Sequence, residues 1–431
     1  MPRQPALPSY HLRPRRGWLN DPNGMTYRDG RWHVFYQHNP AAAVHGDIHW
    51  GHASSDDLVT WREHPVAFGP DPDGPDRAGC WSGVFVDAPE PGPFVAYSGV
   101  VDETYASTTV LRRALDENLD TWSAPWTVAT TPASDGPDGV AVMRDPFVFT
   151  YGGRRWALHG AGLTDGTPAV LLCCADDLEA WTYEGLWFLG RDRPDLVGEW
   201  TADIYECPQL AFVDGRAVLV VSTQLEGRLE HVVAVVGDLV DDADRPGYPA
   251  FRAAAAQLLD VGSVCYAPQV ATDHRGAWHL GWVRQEGVRA DDTAPEEDLV
   301  AGCLTLPRRM RVGGDRVVVT RDPATDALVA DSVDGADELV PGEHDLPAAA
   351  MVRTLGGALL SEEGEIVLPD VPAEVWVDGE VVEVYPAQAD GTGPGPHVPA
   401  THRHVATARW RLRVPEGGAA RLRPVRVPAR D

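Results

Sequence analysis

Asp29-Gly30-Arg31-Trp32-His33-Val34-Phe35-Tyr36 is a tight turn that runs into a β-rich strand, and the chain returns to this pattern four more times. The counterparts are Pro93-Phe94-Val95-Ala96-Tyr97, Gly153-Arg154-Arg155-Trp156-Ala157-Leu158, Asp214-Gly215-Arg216-Ala217-Val218-Leu219-Val220 and His274-Arg275-Gly276-Ala277-Trp278-His279-Leu280. With Trp32, Phe94, Trp156, Val218 and Trp278 taken as equivalent, the steps are 62, 62, 62 and 60 residues. Ten residues before four of these positions stands a proline (Pro22, Pro146, Pro208, Pro268), and the second unit carries Trp81-Ser82-Gly83-Val84 instead. Asp57-Leu58-Val59-Thr60-Trp61 also recurs, as Asn118-Leu119-Asp120-Thr121-Trp122 and Asp177-Leu178-Glu179-Ala180-Trp181. A fixed period is the signature of repeat architectures. Strand hairpins repeated five times at about 60 residues fit a five-bladed β-propeller, whose blades are four-stranded sheets around a channel. The density of Gly and Pro and the absence of 3.6-residue stripes exclude a helical solenoid. A sandwich stays open as an alternative but would not explain the step length. The strand bearing the prolines is expected to line the channel, with the Asp-Leu-x-x-Trp units toward the rim.

That register also places the acids. Asp21 and Asp145 each immediately precede the unit proline, and Glu206 stands two before it in Glu206-Cys207-Pro208. The second unit offers Ser82 and the fifth Tyr266. Asp21 lies in Trp18-Leu19-Asn20-Asp21-Pro22-Asn23-Gly24, flanked by two of the chain's four asparagines. Alone this stretch reads equally well as an Asx-type turn. Its counterparts in units three and four favour a site, with three carboxylates meeting at one funnel. A second Arg-Asp-Pro, Arg321-Asp322-Pro323, falls outside the repeat and is expected to be a turn.

The repeat ends after Leu304-Thr305-Leu306-Pro307-Arg308, so the propeller is expected over residues 1–310. Residues 311–431 alternate Val and Leu with Asp, Gly and Pro, as in Glu374-Val375-Trp376-Val377-Asp378-Gly379-Glu380-Val381-Val382-Glu383-Val384-Tyr385. This reads as a short C-terminal β-sandwich with a hairpin turned at Asp378-Gly379. Residues 388–401 read as a Gly/Pro-rich loop.

The formal net charge is −28, and every basic residue other than histidine is arginine, since the chain has no lysine. That excludes a lysine Schiff base and a P-loop, and it disfavours nucleic acid and anionic membranes as partners. The six cysteines form no CxxC and no zinc spacing, which fits buried thiols in a reducing compartment. Met1 to Gly17 has no apolar core of a signal peptide, and no run approaches 18 apolar residues. A cytoplasmic location is expected.

Two carboxylates across a funnel, with a third nearby, suit cleavage of a glycosidic bond. A retaining mechanism uses a nucleophilic carboxylate and a proton-donating acid about 5–5.5 Å apart. Their surroundings must push their pKa values apart. Asp21, beside two amides, is expected to stay ionised, as is Asp145 beside Arg144, where it could grip sugar hydroxyls. Glu206, near two other acids, is expected to be raised.

With these residues the chain resembles glycoside hydrolase family 32, the β-fructosidases. The resemblance rests on His11-Leu12-Arg13-Pro14 leading into Trp18–Gly24, then Phe35-Tyr36-Gln37-His38-Asn39-Pro40, Trp50-Gly51-His52-Ala53, Trp81-Ser82-Gly83, Arg144-Asp145-Pro146, Glu206-Cys207-Pro208, Tyr266-Ala267-Pro268-Gln269, Gly281-Trp282 and Leu304–Arg308, in the family's order. It implies a five-bladed propeller followed by a β-sandwich, and retaining hydrolysis of terminal fructosyl units of sucrose or short fructo-oligosaccharides. It implies Asp21 as nucleophile, Glu206 as acid/base and Asp145 as stabiliser of the transition state. Asn20, Gln37, Ser82 and Arg144 would hold the fructose, with Trp50, Trp81 and Trp282 walling the pocket. No metal and no cofactor are implied, and the partner is a small sugar.

Some positions depart from the family's pattern. His45 stands where relatives often carry tryptophan, Ser263-Val264-Cys265 replaces an Asp-Phe pair, and Gln209 replaces an acid. These departures leave the three acids intact and put the leaving-group side in question. A fructosyltransferase, an exo-fructanase on inulin or levan, and a non-catalytic sugar-binding propeller remain as alternatives.

Overall fold

A computed structural model describes residues 7–428, apart from 91, 105, 286–298, 330–336, 388–397 and 405–408. The described chain is mostly β-strand, with only short helical turns among the described residues. Five sheets follow one another along the first three quarters of the sequence. Their leading strands are Gly17–Arg28, Gly79–Val86, Val140–Tyr151, Ile204–Val213 and Cys265–Asp273. Each packs against the leading strand of the next sheet, and Cys265–Asp273 packs back against Gly17–Arg28. Val300–Ala301, from beyond the fifth hairpin, adds to Gly17–Trp18 as a parallel strand.

The repeated turn-and-strand segments form the second strand of each sheet. They are covered on both faces, which is why they read as unbroken apolar runs. In Arg31–Asn39 and Arg154–Leu163 all but the first one or two residues are buried. Trp32 and Trp278 meet edge to face, with ring centres 5.0 Å apart, across the junction of the first and fifth sheets. Asp57 accepts the backbone N–H groups of Val59 and Thr60, so the Asp-Leu-x-x-Trp segment is a side-chain-closed turn with Leu58 at φ +66°.

Each leading strand is interrupted at one equivalent place. The pairing register slips between Leu19 and Pro22, between Cys80 and Gly83, at Asp145-Pro146, between Glu206 and Gln209, and between Tyr266 and Gln269. A proline fits there because a bulged residue needs no ladder N–H. Gly83 takes that position in the second sheet because a Cβ would sit 2.1 Å from the Ala96 carbonyl oxygen. The residue before the proline has positive φ in the last three sheets: Asp145 at +57°, Cys207 at +47° and Ala267 at +45°. Bulges re-aim side chains and concentrate beside active sites.

The fifth sheet runs beyond the boundary expected at residue 310, because Arg308–Gly313 and Arg316–Arg321 are its outer strands. The second Arg-Asp-Pro is more than a turn. Asp322 caps a 3₁₀ helix, Pro323–Leu328, and accepts from Trp278 Nε1 and Arg309. A six-stranded and a four-stranded sheet then share a core that includes Leu359, Val375, Val382 and Leu412. Within it Pro372–Asp378 pairs with Val381–Pro386 around Gly379 at φ +61°. The expected Gly/Pro-rich loop lies outside the described residues up to 397, and its end belongs to the strand Ala400–Arg403. Among the described residues no helix is long and apolar enough to cross a membrane.

Candidate active site

The bulges deliver their side chains to one cavity of about 440 Å³. Asp21, Asp145 and Glu206 line it together with Asn20, Gln37, Trp81, Ser82, Arg144 and Trp282. Of the residues picked out from the sequence, Trp50 does not. Its indole is wholly buried, stacked on Phe68 and packed against Phe35 and Tyr97. It supports the wall from behind, donating through Nε1 to the Trp81 carbonyl at 3.0 Å. The alternation of its strand turns Trp50 into the core of the first two sheets, which the motif alone does not reveal.

Asp21 is held on one oxygen. Ser82 Oγ donates to Oδ2 at 2.6 Å and Gln37 Nε2 at 3.1 Å. Asp145 Oδ2 accepts the Cys207 backbone N–H at 3.0 Å, and its own N–H donates to Ser98 Oγ at 2.7 Å. Tyr266 donates to Glu206 Oε2 at 2.8 Å and Gln224 at 3.3 Å. Arg144 Nε lies 3.3 Å from Glu206 Oε1, a charge contact without an aligned hydrogen bond. Trp18 orients Asn20 by donating to its Oδ1 at 2.9 Å.

The electrostatics differ from the expectation that Asp21 stays ionised. Burial raises its pKa from 3.8 to about 7, the Asp145 and Glu206 charges add to the rise, and the Ser82 and Asn20 hydrogen bonds oppose it. Asp145 is also raised, by burial and then by Glu206, against the pull of Arg144 and the Cys207 N–H. Amide neighbours were a poor guide because desolvation and two nearby carboxylates outweigh them.

Sequence reasoning left out several wall residues. Tyr266 stood at the same offset from its proline as Glu206, so the register contained the signal. Trp18 lies two residues from Asn20 on one strand. Val44, Leu229 and Gln285 come from outside the repeated positions, and nothing in their local sequence marks them. Away from the cavity, His52, His64 and Asp120 bring potential metal-ligand atoms within 4.8 Å of one another. The two rings are stacked 4.1 Å apart and inclined by 21°, so their in-plane lone pairs do not converge on one ion.

Comparison with known proteins gives this geometry a family. Residues 11–323 match the family model described as the glycosyl hydrolases family 32 N-terminal domain. The chain is 31% identical over 339 residues to the sucrose-6-phosphate hydrolase of Zymomonas mobilis, covering 73% of this chain and 61% of that one. It is 31% identical over 316 residues to the raffinose invertase of Escherichia coli, covering 70% and 62%. The alignments thus span less than two thirds of these relatives' lengths. In fold it is similar to the Bombyx mori family 32 β-fructofuranosidase solved with sucrose, at a TM-score of 0.75 and 22% identity over 98% of this chain and 94% of that one. With a family model matched over most of its length and an all-β architecture of the same kind, the chain belongs to glycosyl hydrolase family 32.

Proposed function

We propose that this chain is a retaining β-fructofuranosidase, built as a closed five-bladed propeller through Arg321 followed by a β-sandwich. The ring of contacts among the leading strands and the parallel return of Val300–Ala301 support the closed architecture. Six buried, unpaired thiols support a reducing, cytoplasmic setting. The observation that carries the activity is the delivery of Asp21, Asp145 and Glu206 by equivalent bulges of three sheets into one cavity.

In this reading the Asp21 carboxylate attacks the anomeric carbon of a terminal fructosyl unit while Glu206 gives its proton to the departing glycosidic oxygen. The bond to the leaving sugar breaks as a fructosyl ester forms on Asp21. Water then attacks the same carbon, Glu206 takes its proton, and the ester opens to fructose. Ser82 and Gln37 fix the nucleophile, and Tyr266 and Gln224 fix the acid/base. Asp145, Asn20 and Arg144 hold sugar hydroxyls, and Trp81 and Trp282 wall the ring. Charge must build on the furanose between three carboxylates, which suits a cationic transition state.

Release of free fructose from sucrose, 1-kestose, inulin and levan tests this, with product analysis at high sucrose to detect transfer. Sucrose and short oligosaccharides are the expected substrates. Asp21→Asn with near wild-type turnover would sink the assignment.

A further inference from the structure

The cavity wall divides by chemistry into a charged group and a largely uncharged one. Three carboxylates and one guanidinium, Arg144, line the cavity, and the charge of Arg144 faces Glu206 at 3.3 Å. The other wall residues that do not belong to the three acids or their hydrogen-bond partners include Val44, His45, Trp81, Leu229 and Gln285, none of them a fixed cation. His45 rests edge-on to Trp81, with ring centres 5.6 Å apart, and burial lowers its pKa, so it is a neutral imidazole. The arginines that flank these wall positions in sequence are committed elsewhere. Arg228 pairs with Glu226 and Glu230. Arg284 donates to the carbonyls of Leu229 and Ser263.

We propose that the leaving-group subsite selects a neutral sugar and discriminates against a phosphorylated one, so that sucrose is preferred over sucrose 6-phosphate. A phosphate monoester brings about −1.5 to −2 charges. Here it would enter a cleft where, among the described wall residues, three carboxylates face a single guanidinium, Arg144, on a protein of net charge −28. Recognition of a phosphate calls for a bidentate arginine or a positioned lysine, and the chain has no lysine. The inference rests on the fructosidase reading and runs against the name carried by the Zymomonas mobilis relative.

The test is kcat/KM of the full chain for sucrose and sucrose 6-phosphate, at about 20 and 200 mM salt. A preference for sucrose of at least about tenfold, narrowing as salt screens the repulsion, is expected. Leu229→Arg should shift the ratio toward the phosphorylated sugar. Equal or better use of sucrose 6-phosphate by the wild type overturns this inference and leaves the fructosidase reading standing. Failure to cleave either sugar removes both.

Discussion

Two clusters of buried charge lie in this molecule, each built on three carboxylates. In the cavity, Asp21, Asp145 and Glu206 share one guanidinium, Arg144. Where the fifth sheet meets the C-terminal sheets, Asp260, Asp378 and Glu383 share Arg308 and His11. Arg308 reaches Asp260 at 2.8 Å and Glu383 at 2.5 Å, and His11 bridges Asp378 and Glu383 at 2.8 Å each. Burial pushes Glu383 upward too, but Arg308, His11 and Tyr385 outweigh it and hold it at about 2. Burial likewise lowers His11, and its two carboxylates reverse that to about 9. Asp21 and Asp145 are therefore raised while Asp378 and Glu383 are lowered, because more cationic partners face the second pair. The paired cluster joins the N-terminal segment, the fifth sheet and the sandwich. The underpaired one keeps unspent negative charge where a cationic sugar would form.

The largest effect that would break this contrast is in catalysis. Asp21→Asn and Glu206→Gln should each lower kcat/KM by about three or more orders of magnitude in fructose-release assays. Asp21→Asn should also leave the melting temperature unchanged or raise it, because it removes one of three mutually repelling acids. A large loss of stability in that variant would refute the underpaired description.

Arg308→Met should do the reverse. It strands Asp260 and Glu383 without their cation, and breaking a buried pair in this way costs about 3–5 kcal/mol. Urea unfolding of the full chain should show it. A shift below about 1 kcal/mol would mean the network is not what ties the sandwich down.

Acidity separates the two regions by sign. The nucleophile must be ionised, so kcat/KM should fall as pH drops through about 7, the raised value of Asp21. His11 has its folded pKa raised above 6.5, so its stabilisation is complete below 6.5 and fades as pH rises through about 9. Glu383 is lowered from 4.5, so its contribution is present above 4.5 and is lost as pH falls through about 2. The melting temperature should decline between pH 6.5 and 9, and His11→Gln should flatten that slope.

The smallest effects sharpen the site itself. Ser82→Ala deletes the 2.6 Å donor to Asp21, and the acidic limb should move to higher pH with a loss in kcat/KM of about tenfold. Trp50→Phe removes the bond to the Trp81 carbonyl and leaves a cavity among Phe35, Phe68 and Tyr97. It should cost about 2 kcal/mol of stability and change KM little, whereas a wall residue would change KM strongly.

Much of this was legible in the chain because the repeat is itself a physical constraint. A 60-residue period with a proline at a fixed offset marks the same place in four of the five leading strands, and the acids one or two residues before it in three of them are thereby brought to one end. Hence Asp21, Asp145, Glu206 and Ser82 could be placed from their numbering, and Tyr266 by the same offset. The strand alternation in Trp376–Tyr385 likewise marked a hairpin of the sandwich. The extent of the fifth sheet was not legible, because its two outer strands, Arg308–Arg321, lie past the last copy of the motif.

What the sequence determined by itself was periodic and local: the strand repeat, the offset of the prolines, and which side chains share an end. What only the tertiary structure decided was set by elements far apart in the chain. Trp50 left the wall for the core because Phe68 and Tyr97 cover it. Asp21 rose to about 7 because burial and acids 124 and 185 residues away outweigh its own neighbours. Val44, Leu229 and Gln285 became a rim because three separate segments end beside one cavity. Desolvation and long-range charge depend on what surrounds a group in space, and no spacing along the chain encodes that sum.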